Sequence, residues 1–376
     1  MRNQCTIALN TGNLELQVKP SNYSISRLLE FASRENPKRA FLFLSKVLGK
    51  YIPSLPSVMR KTYIDLNKNI KIEGHCLVLG VAETATGLGA GVADVLSCNS
   101  EYNVFYAQTT RFDCEEPIAF DVFESHSHAP QHLIYDISEN IDIETITEVV
   151  LVDDEISTGK TLNQLTQGLT GYLPNLKRVH WASLVDWMPE KTEAVFSHIN
   201  DNVEIQFHSL LKGEFNFSKT SNRVIEFPNA TASELSKAVC RIDLGRKGAT
   251  IDKIKACSFY SPNGEKIVPE ELSKTTEYVV IGTGEFIYQP FLFAEAMESS
   301  GIDVLFESTG RSPIIPGGSI SSKLTFYDPI HQANYYLYNL PENRTPIVLY
   351  ENTEQYTHCP LHKLLNAQAA ILGMPE

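Results

Sequence analysis

The sequence predicts an α/β protein: a largely parallel sheet with helices on both faces, followed by a second, smaller α/β domain. Three observations lead there. Apolar strand-like runs alternate with helix-patterned segments from Leu77 to Leu211, as in a parallel sheet wound through crossover helices. The segment Val149–Thr161 joins a buried strand, two adjacent acids and a small-residue turn to a helix, the layout of a ligand site at the carboxyl end of a parallel strand. A chain of 376 residues is too long for one compact core of ordinary size, so two domains are expected, 1–226 and 227–376.

Taken in order, Ser24–Phe31 and Pro37–Gly49 carry apolar residues at helical spacing and read as helices, the second with Ala40, Leu44, Val47 and Leu48 on one stripe. Lys46 and Lys50 would then share a helix face. Leu77–Gly80 reads as a short buried strand running into a Gly/Ala/Thr-rich turn and a small-residue helix, and Val104–Gln108 as the next strand. Thr109–His132 has no period and is rich in Glu, Asp, His and Pro, so it reads as a long functional loop. Glu148–Val152 is a β-branched strand, Gly159–Leu169 a helix and Val179–Val185 a strand; a helix from Glu190 and a strand near Val203–Leu211 complete the unit. The polar, Pro-containing stretch Asn216–Asn229 reads as a linker, and Thr231 with Glu234 as the capping box of the next helix. Tyr278–Ile281, the turn Gly282-Thr283-Gly284, the helix Gln289–Ser299 and the strand Asp303–Phe306 form a βαβ unit.

The chain is acidic, with 32 Lys+Arg against 45 Asp+Glu and a net charge of −13, which argues against a nucleic-acid or anionic-membrane surface. A local phosphate site stays compatible with that charge, because such sites rely on backbone N–H groups as much as on net charge. With 43% hydrophobic and 20% charged residues the chain is too apolar to be largely disordered. Its seven cysteines form no Cys-x-x-Cys pair and read as reduced thiols. No apolar run forms a signal-peptide core or approaches membrane-spanning length, so a cytoplasmic protein is expected.

The chemistry concentrates in Val149–Thr161. Asp153 and Asp154 stand at the end of the strand, where two carboxylates suit a ribose diol or help to hold a metal. Ser157, Thr158, Gly159, Lys160 and Thr161 open the helix, whose free N–H groups suit a phosphate monoester. A Walker A loop would need glycine five residues before Gly159, where Asp154 stands; a solvated acidic turn is the plainer competing reading. Upstream, Val81, Ala82, Glu83 and Thr84 turn at the end of their own strand, either a second anion-binding arrangement or a tightly packed corner. Arg111 offers a guanidinium fork suited to phosphate charge. His126, His128 and His132 lack a completing ligand at zinc spacing, and Pro360 beside His358, Cys359 and His362 suggests a helix start rather than a metal site. In the second domain Gly282–Phe286 and Ser308–Pro313 are turns that could present N–H donors and one guanidinium to an anion; Ile287 stands where a dinucleotide fingerprint needs glycine.

Val149–Thr161 resembles the phosphoribosyl-pyrophosphate (PRPP) motif of type I phosphoribosyltransferases, with Glu155 where most such enzymes place an apolar residue. By that resemblance Asp153 and Asp154 would hold the ribose 2′- and 3′-hydroxyls and Ser157–Thr161 would cradle the 5′-phosphate. Val81–Thr84 would form the pyrophosphate loop, and Thr109–Ala129, with Glu124, His126 and His128, the flexible hood. The run Asn36-Pro37-Lys38-Arg39 with Ser45–Lys50, the Gly-Thr-Gly-Glu-Phe turn, and Thr309-Gly310-Arg311-Ser312-Pro313 resemble one subgroup, orotate-type enzymes encoded in tellurite-resistance and related stress gene clusters. Its C-terminal domain is named for a Thr-Arg-Ser-Pro (TRSP) signature, which Gly310 interrupts here.

The resemblance covers most of the chain. It implies Mg²⁺-dependent transfer of the 5-phosphoribosyl group from PRPP to a nitrogenous, base-like acceptor with release of pyrophosphate. The metal would be held mainly by PRPP, with help from Asp153 and Asp154. It further implies a homodimer without nucleic-acid or membrane partners, serving synthesis of a nucleoside-like compound in stress or tellurite resistance. Glu285, Thr309, Arg311 and Ser312 are then candidates for a second substrate or product site in the C-terminal domain. The alternative is a PRPP- or nucleotide-sensing regulator that keeps the site and does no chemistry.

Overall fold

The computed structural model of the chain describes residues 3–34, 36, 39–123, 131–196, 203–220, 236–237 and 239–373. An N-terminal hairpin, β1 (Asn3–Leu9) and β2 (Gly12–Val18), precedes a second one, β3 (Leu29–Ser33) and β4 (Phe41–Ser45). Helix α1 (Pro56–Asn67) leads to β5 (Cys76–Gly80), α2 (Ala85–Asn99) and β6 (Val104–Gln108). A third pair, β7 (Ile118–Phe123) and β8 (Gln131–Tyr135), is followed by β9 (Glu148–Ile156), α3 (Lys160–Tyr172), β10 (Arg178–Asp186) and β11 (Glu204–Lys219).

The principal sheet runs β1-β2-β11-β10-β9-β5-β6 and ends on the short strand Ala249–Thr250. Its middle, from β11 to β6, is parallel throughout. Helices cover both faces of those strands, which explains why β5 is buried at every position and reads as a continuous apolar run. The chain winds outward from β5 to β6, then returns to the other side of β5 for β9, β10 and β11. The switch point therefore lies between β5 and β9, and the crevice beyond their carboxyl ends is where such sheets take ligands.

The second sheet is built on β12 (Tyr278–Gly282), α4 (Tyr288–Ser299) and β13 (Val304–Ser308), then the hairpin β14 (Lys323–Asp328) and β15 (Ala333–Tyr338), then β16 (Thr345–Tyr350) and β17 (Gln368–Leu372). Its order is Lys266–Ile267, Phe259–Tyr260, β17, β16, β12, β13. The two sheets share one apolar core, and buried polar contacts join them beside it. Tyr63 of α1 and Phe291 of α4 pack edge to face at 5.3 Å inside it. Residues after β4 also run beside β13, with Lys50 bridging to Ser308 and Ser54 to Phe306.

The first fifty residues depart from the helical reading. Ser24–Phe31 gives only one helical turn, Ile25–Leu28, before β3, and the part of Pro37–Gly49 within the described residues is β4 followed by bends. The reason is packing on both sides of the strand. Phe43 stacks on Trp187 at 4.9 Å, and Phe41 and Phe43 each meet Phe215 at 5.4 Å. Leu44 on the opposite face joins Ile314 and Tyr338. Aromatic cross-strand packing outweighs an accidental helical spacing, and burial of both faces hides the period of two. Lys46 and Lys50 accordingly part company: Lys46 is half-exposed beside Glu30, while Lys50 is buried in the seam.

Other boundaries also move. Thr109–His132 is not all loop, since it contains Phe112–Asp113, β7 and the start of β8; Glu124, His126 and His128 lie outside the described residues. Asn216–Lys219 is the end of β11 and pairs with β2, so it is no linker. Residues 221–229, the boundary expected at 226 and the Thr231–Glu234 capping box fall outside the described residues.

Candidate active site

At the carboxyl end of β9, strand alternation sends Asp153 and Glu155 to one side and Asp154 to the other. The Asp154 N–H donates to the Asp153 carboxylate at 2.9 Å, tying the pair together. Burial pushes the Asp154 carboxyl above its ordinary range, with the Asp153 hydrogen bond, Arg39 and Lys50 pulling the other way. Glu155 is likewise raised by burial and steadied by its ion pair with Arg39. The chain then turns through Ser157 and Thr158 to Gly159, whose φ of 71° lies in the left-handed region. A Cβ there would stand 2.6 Å from Met188 Sδ and 2.7 Å from the Phe196 ring, so only glycine fits. Gly159 caps α3 with no side chain of its own, and only a long 3.5 Å bond from the Lys160 N–H to Thr158 Oγ1 touches the first turn, so the helix start can turn its N–H groups toward an anion.

One strand away, Val81 donates its N–H to Val152 O at 2.9 Å, which ties the turn after β5 to β9. The Ala82–Glu83 peptide is cis. Ala82 N–H donates to Thr109 Oγ1 at 2.9 Å, and that hydroxyl also meets His132 Nδ1 at 3.0 Å. His132 is therefore a buried support of this turn rather than a solvated loop residue. Arg111 reaches back to donate from Nη2 to Ala82 O at 3.1 Å. Glu83 would be raised by burial, but Lys50, Arg311 and Arg111 more than offset that and hold its carboxyl below the usual range.

The predicted blocks converge. Asp153, Asp154, Ser157–Thr161, Val81–Thr84 and Arg111 all line one cavity of about 160 Å³. Ser312 lines it too, although it comes from the second sheet. Glu285, Thr309 and Arg311 stand directly behind that wall. Glu285 accepts hydrogen bonds from Arg111 N–H and Thr110 Oγ1; Thr309 O accepts one from Lys50 Nζ at 2.9 Å; Arg311 N–H donates to Glu83 at 3.3 Å. The four C-terminal candidates thus gather around the first site. Of them, Glu285 also borders a separate void of only about 10 Å³.

Sequence reasoning missed the opposite wall. Arg34, Arg39, Phe43 and Tyr51 line the cavity from the β3–β4 hairpin and its exit, with Arg39 and Phe43 inside the stretch expected to be helical. The Arg39 guanidinium lies 5.0 Å from the Phe41 ring centre and pairs with Glu155. Burial pushes the Tyr51 phenol up to about 12. The unusual acid at Glu155 was the one signal available, since a carboxylate at the rim of a buried strand calls for a cation.

Two adjacent carboxylates, a helix start and a guanidinium-bearing turn gather around one crevice of an α/β sheet, an arrangement with the chemistry to take a phosphorylated sugar. Comparisons with known proteins agree. Residues 28–214 match the family model described as phosphoribosyl transferase, and residues 243–367 match the TRSP domain that lies C-terminal to it. The chain belongs to this phosphoribosyltransferase family and carries its TRSP domain. Similar solved structures include adenine phosphoribosyl transferase from Trypanosoma brucei, at 16% identity and a TM-score of 0.33 over 49% of this chain and 77% of that one. Orotate phosphoribosyltransferase from Aeropyrum pernix shows 15% identity and a TM-score of 0.27 over 46% and 78%. No curated protein matches the chain significantly. Among the described residues no helix is long and apolar enough to cross a membrane.

Proposed function

We propose that the chain moves the 5-phosphoribosyl group from PRPP to a ring nitrogen of a base-like acceptor, releasing pyrophosphate. The observation that carries this reading is the convergence of three separate stretches, 81–84, Arg111 and 153–161, on one crevice at the switch point. Asp153 and Asp154 accept hydrogen bonds from the ribose hydroxyls, and the N–H groups at the start of α3 hold the 5′-phosphate. Arg111 and the Val81–Thr84 turn receive the pyrophosphate. The C1–oxygen bond breaks with its electron pair leaving on pyrophosphate, a C1–nitrogen bond forms, and the acceptor nitrogen's proton passes to solvent water. Little covalent work falls to the protein, so the rate comes from orientation and from donors aimed at the leaving group's charge.

The donor set fits Mg²⁺ brought in by the substrate. Among the described residues no three metal-ligating side chains converge, but Mg²⁺ commonly takes one or two carboxylates and completes its shell with phosphate oxygens and water. Asp153 and Asp154 are the carboxylates placed for that, and the cation would neutralise charge on the departing pyrophosphate. A homodimer, and a place in making a nucleoside-like compound under stress or tellurite exposure, come with the subgroup that the two turns and the hairpin run resemble. Pyrophosphate release from PRPP, Mg²⁺ and a panel of nitrogenous bases tests the reading. The Asp153→Asn/Asp154→Asn variant should lose roughly a hundredfold or more in turnover with every acceptor; undiminished release would refute the assignment.

A further inference from the structure

We propose that the C-terminal domain is a working part of the pyrophosphate end of this same site, with Glu285 the residue that positions Arg111. The inference rests on the reading of Arg111 as the leaving-group clamp. Glu285 is 3% exposed, and its carboxylate is engaged on both oxygens. Oε1 accepts the Arg111 backbone N–H at 2.8 Å; Oε2 accepts Thr110 Oγ1 at 2.7 Å and pairs with Arg246 at 3.2 Å. Arg246 is itself held by Glu351 at 3.2 Å. A carboxylate this deep is tolerable only when neutralised and fully hydrogen-bonded, and Glu285 reaches that state only with Thr110 and Arg111 docked on it. The root of the Arg111 side chain is thereby fixed while its guanidinium donates to the Ala82 carbonyl.

The neighbouring turn repeats the arrangement on the other loop. Gly284 N–H donates to Thr309 Oγ1 at 2.9 Å, joining the two C-terminal turns, and Arg311 N–H donates to Glu83. Lys50 lies between them, 3.7 Å from Glu83 and bonded to Thr309 O. A Cβ on Gly310 would stand 2.9 Å from Lys50 Cε, so the glycine at this interruption of the Thr-Arg pair packs directly against the lysine. Both loops expected to face pyrophosphate therefore end on the second sheet's turns, whereas the phosphate cradle at Ser157–Thr161 does not. Pre-set donors bind a charged group without reorganising, so these turns should govern affinity for the pyrophosphate part of the ligand and leave the ribose phosphate part alone.

The test is calorimetric titration of the full chain with Mg²⁺ and either pyrophosphate or ribose 5-phosphate. Glu285→Gln should weaken pyrophosphate about tenfold while ribose 5-phosphate stays within about twofold. In an Arg111→Ala background the same substitution should have no further effect on pyrophosphate. If Glu285→Gln does not fold, Thr110→Val, which removes the hydroxyl's bond to Glu285 and its longer one from the Phe112 N–H and keeps the Arg246 pair, carries the same expectation. Unchanged pyrophosphate affinity, or a parallel loss of both ligands, overturns the positioning role while leaving phosphoribosyl transfer standing. A wild-type chain that binds neither ligand overturns both.

Discussion

Glu155 owes its place at the rim of the crevice to Arg39. Burial raises its carboxyl, and the guanidinium supplies the compensating charge. Arg39→Ala should lower stability by ~1–3 kcal/mol, read as a drop in thermal midpoint, and Arg39→Ala/Glu155→Gln should recover part of the loss. Equal midpoints for wild type and Arg39→Ala would contradict this. Asp186, at the end of β10, supplies a pH dependence. Burial and a hydrogen bond shared with Glu193 raise its carboxyl to about 7, while its Oδ1 accepts the N–H of Met188 beneath Gly159. An acid whose folded pKa is raised stabilises while protonated, so this contribution is full below about pH 4 and gone once pH has risen through about 7. The thermal midpoint of wild type relative to Asp186→Asn should therefore fall between about pH 4 and about pH 8, and a constant difference would show that Asp186 titrates normally.

At the scale of elements, β9, its turn and α3 form the unit on which the proposed phosphate binding would depend. Gly159→Ala forces a left-handed alanine against Met188 and Phe196, an expected loss of about 1–3 kcal/mol together with weaker ribose 5-phosphate binding. Binding and midpoint equal to wild type would contradict the cradle. This unit was fully legible in the sequence, because a buried parallel strand, paired acids and a small-residue helix start announce themselves within thirteen residues. The βαβ unit of the second sheet was legible for the same reason. The β3–β4 hairpin was not. Phe41 and Phe43 face Phe215 and Trp187, residues more than a hundred positions away, and no local period reports such a partner. Arg34, Arg39 and Tyr51 were lost with it, and Lys50 was placed on a helix that does not form. The role of Glu285 was equally hidden, since the carboxylate closes a contact across 174 residues.

The whole molecule explains why two family segments travel in one chain. Ala249–Thr250 extends the principal sheet at β6, Lys50 and Ser54 extend the second at β13, and one core runs beneath both. A chain cut after residue 226 would expose Tyr63, Gly87 and the β6 edge. It should give no cooperative thermal transition, and a sharp one would mark the first unit as independent. One phosphoribosyl site assembled from both parts would be seen outright in a crystal structure of the full chain soaked with PRPP and Mg²⁺. The 5′-phosphate should lie on the N–H groups of Ser157–Thr161, the ribose diol on Asp153 and Asp154, and the pyrophosphate between Val81–Thr84 and Arg111, with the Glu285 contact intact. PRPP bound elsewhere, or a pyrophosphate turned away from Arg111, would contradict it.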